Sequence, residues 1–391
     1  ELRQAEGVDD FGDLMVGLER AGVLDRHAEY LPTLEILVER SDVGEGLQRP
    51  ELCVLLAYAK LQVKSELVGC DLPDEPELAP YITSYFPDDA IERAGEDAVH
   101  DHRLRREIIT SQLANDLVDL MGATFVHRVA RDTGRSVRDI VAAWLVAARL
   151  AEHDEIITHL AEVGPELSTA DAYRWLLGLS RVLERTTRWV LDHFHDGVDA
   201  GELIGTNVDG VRQLQASFRE IVAGPDRQMY EERVEALKGI GANERLASEL
   251  ITLRFLDQLL EILHIARDTG SPPAEVGMVF YRVSDRLGIP WLRQQIEQTA
   301  SDDQWEQRAA AALAGDLTRA HHRIAAYALS RTGGADDPGE AASRVMETRR
   351  KEMDRLRNLL DEIRSEDEMS LAGLSVAVRE IAALADRSDA D

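Results

Sequence analysis

Few side chains in this sequence could begin a reaction. Lys60, Lys64, Lys238 and Lys351 are its four lysines, so chemistry that needs an amine must use one of them. Lys60 and Lys64 fall on the polar side of a helical pattern, and nothing in the sequence converges on them. The two cysteines are Cys53 and Cys70. Cys53 falls on the apolar face of a helix and is expected as a core residue rather than a nucleophile. The pairs His100 and His102, His193 and His195, and His321 and His322 offer ring nitrogens to a metal. None has a third ligand at a recognisable spacing, and surface positions are expected for all six. Gly239-Ile-Gly241-Ala-Asn-Glu244 opens like a phosphate loop. It carries glutamate where the third glycine belongs, and a charged helical run precedes it instead of a strand. It reads as a helix connection.

Arg103, Arg105, Arg106 and Arg128, with Arg131, Arg135 and Arg138, make the one locally basic zone of an acidic chain. Three readings compete: a solvated face paired with Glu107 and Asp116, a domain-docking surface, and an anion site. Arginine forks pair readily with carboxylates at interfaces, which favours the first two together. The stretch VARDTGRSVRDIVAAWL also has the form of a helix-turn-helix, whose basic second helix would enter a major groove. That is the alternative, a nucleic-acid-binding or interaction module. A capped helix after a glycine is, however, how any two helices meet. A second copy of the motif offers Ala274, Glu275 and Val276 where basic residues would be wanted.

The elements that position these groups are helical. Pro50 suits the first helical position, so a helix start at Pro50 is expected, with Glu51 facing the positive end of the dipole. Leu52, Leu55, Leu56, Ala59 and Val63 then recur on one face until Gly69. Pro73, Pro76, Pro80 and Pro87 each remove a donor, and the segment holding them is expected to be a non-helical, ordered loop. Leu104, Ile108, Ile109, Leu113, Leu117 and Leu120 mark a second long helix ending at Gly122.

Earlier in the chain, 11–20 and 31–40 suit short helices. After ARDTG at 130–134, Ser136 and Asp139 have capping-box spacing, and Ile140, Ala143, Trp144, Ala147 and Ala148 give a buried face. Residues 168–194 form a longer helix, with Tyr173, Leu176, Leu177, Leu183, Val190, Leu191 and Phe194 inward and Arg181, Arg185 and Arg188 outward. Residues 197–210 read as loop, and helices follow at 209–223, 226–238 and 243–267. ARDTG returns at 266–270, with Ser271 as N-cap and Pro272 opening a helix to Leu287. In this internal echo Ile140 matches Val276 and Trp144 matches Phe280. A short helix opens at Pro290, and a long alanine-rich one covers 302–330.

The fold class expected is all-α, a multi-helix bundle with a proline-rich loop and a charged C-terminal helical tail. A helical domain over 1–331, a flexible linker at 332–340 and a tail over 341–391, helical at 344–364 and 371–384, are expected. The tail should pack on a neighbour or on the body.

The chain has 391 residues, 44% of them hydrophobic, enough to bury a sizeable core. Its net charge of -29, from 73 acidic against 44 basic residues, repels nucleic acid and anionic membranes. Neither is expected as a partner. If Cys53 and Cys70 lay on one helix, about 25 Å would separate them, beyond disulfide reach. They read as reduced thiols of a cytoplasmic protein. There is no apolar run of about eighteen residues and no basic-then-apolar leader. A start at Glu1 without methionine reads as a fragment.

From about Phe11 to Ser330 the sequence resembles the large NAD-dependent glutamate dehydrogenases. The resemblance is densest in RPELCVLLAYAK, DLPDEPELAPYITSYFP, HRLRREIITSQLANDLVDLMGATFVHR and LGIPWL. It implies the C-terminal helical region of an enzyme that deaminates L-glutamate oxidatively to 2-oxoglutarate and ammonia. Hydride would pass to NAD, with a lysine aiding attack at the alpha carbon. The family's dinucleotide loop and catalytic lysine motif do not occur here, so no catalytic, NAD-binding or metal-binding residue carries over. By the same resemblance, NAD is held by an upstream catalytic domain of the same chain, and the enzymes assemble as homo-oligomers, commonly tetramers. This segment is expected to brace, dock or regulate that domain.

Overall fold

The computed structural model describes residues 7–163, 169–239, 243–299, 304–332, 337–366 and 369–388, and every regular element among them is a helix. The all-α expectation holds. The chain forms two compact units, Glu1–Thr206 and Asn207–Asp391.

In the first unit, the Arg49–Val68 helix begins one residue before the expected start at Pro50, with Pro50 in its second position. The Gln48 backbone N–H donates to the Glu51 carboxylate at 2.6 Å, satisfying one donor that a helix start leaves over. Leu55, Ala59, Val63 and Leu67 form its buried ridge, and the helix packs on Arg105–Met121. Cys53 corrects the reading above: it is exposed, because two residues before Leu55 it lies across the helix axis from the ridge. Leu104 is another correction. It is half-exposed and precedes the Arg105–Met121 helix instead of starting its buried stripe.

The proline-rich segment is more helical than expected. Leu72–Asp74 and Pro76–Leu78 are 3-10 turns, and Ala79–Thr83, Asp88–Ala94 and Glu96–His100 are short α-helices. Pro73, Pro76 and Pro80 each occupy a first or second helical position, where the missing N–H would have had no partner anyway. Prolines that break long helices here start short ones.

Val137–Leu150 is the centre of this unit. Residues 140–148 are all buried, and the helix packs on Arg49–Val68, Phe125–Thr133, His153–Val163 and Thr169–His193. A helix that is apolar all round must be enclosed. Ser136 caps it, accepting the Asp139 N–H at 3.1 Å, and Gly134 closes the preceding helix at φ +69°. On Thr169–His193, Leu183, Val190 and Leu191 point inward as expected, whereas Tyr173 is exposed and Arg188 is half-buried in ion pairs.

Residues 197–210 are not a loop throughout, since the Ala200–Ala216 helix occupies most of them. Leu203, Val211 and Leu214 on it are buried. Two of its glycines mark close approach instead of a turn. A Cβ on Gly201 would lie 2.6 Å from the Glu77 carboxylate, and one on Gly210 would lie 2.7 Å from Leu263.

The second unit surrounds Pro273–Leu287. That helix packs on Gly224–Gly239, Leu256–Thr269, Ile289–Thr299, Gln304–Thr332, Pro338–Thr348 and Arg350–Arg364. The repeated ARDTG therefore precedes the central helix of each unit. Gly270 adopts φ +65°, close to Gly134, and Ile140, Trp144, Val276 and Phe280 are all buried. The second helix starts one residue late, at Pro273 with Pro272 in the cap position, and Ser271 does not cap it. The helix expected over 243–267 is interrupted by a 3-10 turn at Leu253–Phe255.

The expected linker holds the buried end of one helix at Thr332 and the start of another at Pro338, with 333–336 outside the described residues. Of the C-terminal helices, Pro338–Thr348 and Arg350–Arg364 are separate, broken at Arg349. They pack within the second unit on Pro273–Leu287, and Leu371–Ser388 packs on Gln304–Thr332.

Candidate functional site

Helix C-termini leave carbonyl oxygens without partners, and the basic zone of the first unit supplies them. Arg106 donates to the carbonyl of Val68 at 3.0 Å and to that of Cys70, closing the end of Arg49–Val68, and it pairs with Asp74. Arg105 donates to the Pro73 carbonyl at 3.1 Å. Arg135 does the same for Thr169–His193, reaching the carbonyls of Phe194 at 2.7 Å and His195 at 2.9 Å. Arg138 joins two loops: it donates to the Val198 carbonyl and pairs with Asp71 and Glu75, both at 3.0 Å. A planar fork with five donors can span such a set, and a lysine cannot.

A second group of arginines ties helices together. Arg128 grips Glu184 bidentately, and Arg188 reaches both Glu184 at 3.1 Å and Asp132 at 3.0 Å. Arg131 pairs with Asp13 at 2.8 Å and Asp10 at 3.3 Å, which fixes Val8–Arg20 against Phe125–Thr133. Burial would raise the Glu184 carboxyl, but the two guanidinium groups outweigh it and hold its pKa at about 2. Glu75 goes the other way. Burial, with Asp199, Glu77 and Asp71 nearby, outweighs Arg138 and lifts it to about 7.

The structure thus gathers Arg105 and Arg106 at one helix end and Arg128 elsewhere in an ion-pair network. The carboxylates they meet are Asp74, Glu184 and Asp10, not the expected Glu107 and Asp116; Asp116 instead accepts from Tyr81. Arg103 is exposed and makes no ion pair or hydrogen bond with a described residue. These partners lie 31 or more residues away in sequence, and no local signal marks them.

Two of the lysines are engaged in ion pairs. Lys60 pairs with Asp119 at 2.6 Å, and Lys238 with Glu235 at 2.7 Å. Among the described residues no three histidine, cysteine or acidic side chains converge as metal ligands. His321 corrects the expectation of a surface position. It is buried, with its ring 3.9 Å from that of Phe280 and its Nε2 3.0 Å from the Phe280 carbonyl oxygen, and burial lowers its pKa to about 3. His322 meets the buried Glu261 carboxylate at 2.5 Å.

The residues also do not fit NAD. A dinucleotide crevice needs a strand feeding a glycine turn, and the described residues contain no strand. Gly239 is the last residue of the Gly224–Gly239 helix, with 240–242 outside the described residues. Nor does Val137–Leu150 suit a DNA groove, since its middle is enclosed and Arg135 and Arg138 are spent on carbonyls and carboxylates.

Residues 44–383 match the family model described as glutamate dehydrogenase, C-terminal. The chain belongs to this family. Similar proteins are the NAD-specific glutamate dehydrogenases of Halomonas elongata, 32% identical over 99% of this chain, and of Pseudomonas aeruginosa, 31% identical over 99%. The protein of that description from Mycobacterium tuberculosis is 30% identical over 92%. The chain spans about a quarter of the length of these relatives, 24%, 24% and 22% respectively. No described helix is long and apolar enough to cross a membrane.

Proposed function

We propose that this chain is the helical support of an NAD-dependent glutamate dehydrogenase that converts L-glutamate, NAD and water to 2-oxoglutarate, ammonia and NADH. The chain braces the catalytic domain, which lies on its N-terminal side in the same polypeptide, and contributes to docking or regulation. NAD and the catalytic lysine belong to that upstream domain. Assembly as a homo-oligomer and a cytoplasmic location are part of the same reading, the latter supported by two free thiols. The observation that carries it is the match over nearly all of this chain to relatives named NAD-specific glutamate dehydrogenase, of which it covers a quarter.

Of the basic zone, Arg103 is the guanidinium exposed for contact with a neighbour, whereas Arg105, Arg106 and Arg128 act as internal clasps. The test is made on the full-length polypeptide. With this segment present it should form NADH from L-glutamate, and deletion of the segment should abolish or sharply lower that rate. An undiminished rate after deletion would remove the supporting role.

A further inference from the structure

Arg138 meets more groups than one positive charge can balance. Its guanidinium donates to the Val198 carbonyl, pairs with Asp71 and Glu75 at 3.0 Å each, and lies 3.6 Å from Asp139. These partners come from the segment after Arg49–Val68, from the loop at 194–199, and from the Val137–Leu150 helix that carries Arg138 itself. Arg135, 3.6 Å from Asp139, holds the start of the same loop through its carbonyls. The two segments that Arg138 joins also touch further along. A Cβ on Gly201 would meet the Glu77 carboxylate, so the chain packs there with no room to spare. A shift of either segment is therefore felt by the other.

Glu75 sits within this junction. Its side chain is 18% exposed, Oε1 accepts from Arg138, and Oε2 is buried without a hydrogen-bond partner among the described residues. Asp71 and Glu77 flank it on its own segment, Asp199 faces it from the loop, and Asp139 adjoins Arg138 on the helix. Asp74, on the same turn, is taken by Arg105 and Arg106. An ionised Glu75 leaves Arg138 shared among Asp71, Asp139 and Glu75 itself, with Asp199 and Glu77 close by. A neutral Glu75 removes one of those charges and can donate as well as accept. A cleft of about 510 Å³, lined by Asp71, Arg138, Asp139, His195, Asp196 and Asp199, borders the loop, which thus has open space on that side.

We propose that Glu75 is a proton-operated latch between residues 71–77 and 194–201: closure takes up a proton on its carboxyl, and loss of that proton frees the Val198 carbonyl from Arg138. The ionised carboxylate competes with the neutral carbonyl for the guanidinium and repels Asp199 across the junction. Burial and the neighbouring carboxylates lift the pKa of Glu75 from 4.5 to about 7 against the pull of Arg138. With the ordinary value restored when the segments part, the carboxyl favours closure fully below about pH 4.5, and that support is lost as pH rises through about 7. The latch is internal to the first unit and stands whichever reaction the parent polypeptide runs.

Amide hydrogen exchange of the 391-residue chain, corrected for intrinsic rates, reads the latch. Between about pH 5 and 7.5, protection at 71–75 and 195–199 should fall by about tenfold or more and then level off, while the amides of Val137–Leu150 stay protected. Glu75→Gln keeps the shape of the neutral carboxyl and should hold both segments protected, without pH dependence, over the same range. His195, exposed at the cleft, is the rival titrating group, and His195→Gln should leave the wild-type profile intact. A flat wild-type profile would overturn the proposal. So would a pH dependence that survives in Glu75→Gln or vanishes in His195→Gln. The wild type and the histidine variant, whose altered side chain is exposed, keep the test decisive even where Glu75→Gln does not fold.

Discussion

Arg128 holds Glu184 with both arms of its guanidinium, Nη1 to Oε1 at 2.9 Å and Nη2 to Oε2 at 2.8 Å, joining Phe125–Thr133 to Thr169–His193. Two parallel charge-assisted bonds fix an angle as well as a distance. Removing the carboxylate would leave Arg128 and Arg188 without their shared partner. Glu184→Gln should therefore cost about 2 to 3 kcal/mol, read from chemical denaturation near neutral pH. The folded value of Glu184, about 2, lies below the ordinary 4.5. Its contribution is thus complete above about pH 4.5 and disappears as pH falls through about 2, so wild type and variant should converge in acid. A constant difference down to about pH 2 would show that the pair is not what the substitution removes.

Asp226 should do the opposite. It is buried in the first turn of Gly224–Gly239, and burial raises it from 3.8 to about 6 despite Arg293, with Asp285 and Asp257 adding to the rise. Between those values the folded state holds the proton more tightly. The contribution is full below about pH 3.8 and is lost as pH rises through about 6, on the order of 2 to 3 kcal/mol. Asp226→Asn should accordingly melt higher than wild type at about pH 8 and no higher at about pH 4, by calorimetry. A variant less stable at both would mean that the ionised carboxylate is needed.

Much of the helical framework was legible because its signals are local. Pro50 and Glu51 mark the start of one helix, Gly122 and Gly134 end two others, and the apolar ridge Leu55, Ala59, Val63 is written at helical spacing. What escaped depends on partners distant in the chain. Gly201 and Gly210 look like loop residues until Glu77 and Leu263 are seen against them. Tertiary packing overrode propensity there. The arginine zone was visible as a basic cluster, yet its purpose was not, since the carbonyls of Val68, Phe194 and Val198 leave no mark in side-chain sequence.

The two central helices give a matched pair of core tests. Trp144 and Phe280 occupy equivalent positions in the echo, and each is at most 1% exposed. Trp144→Ala and Phe280→Ala should each cost about 3 to 5 kcal/mol. Hydrogen exchange should place the first loss in residues 7–206 and the second in 207–388. Faster exchange confined to the substituted helix, with no loss across its unit, would contradict their central place.

Arg138 tests the clasp. Arg138→Lys keeps the charge but cannot span Asp71, Glu75 and the Val198 carbonyl at once. The expected cost is about 1 to 2 kcal/mol, with faster amide exchange at 71–75 and 195–199. Unchanged exchange in both loops would assign their order to other contacts.

If the dehydrogenase chemistry lies outside this helical segment, the segment alone should show none of it. The most direct measurement is on the 391-residue chain by itself: calorimetric titration with NAD, followed by incubation with L-glutamate and NAD while NADH absorbance is recorded. No binding heat and no NADH are expected. Saturable NAD binding or steady NADH formation by this chain alone would contradict it.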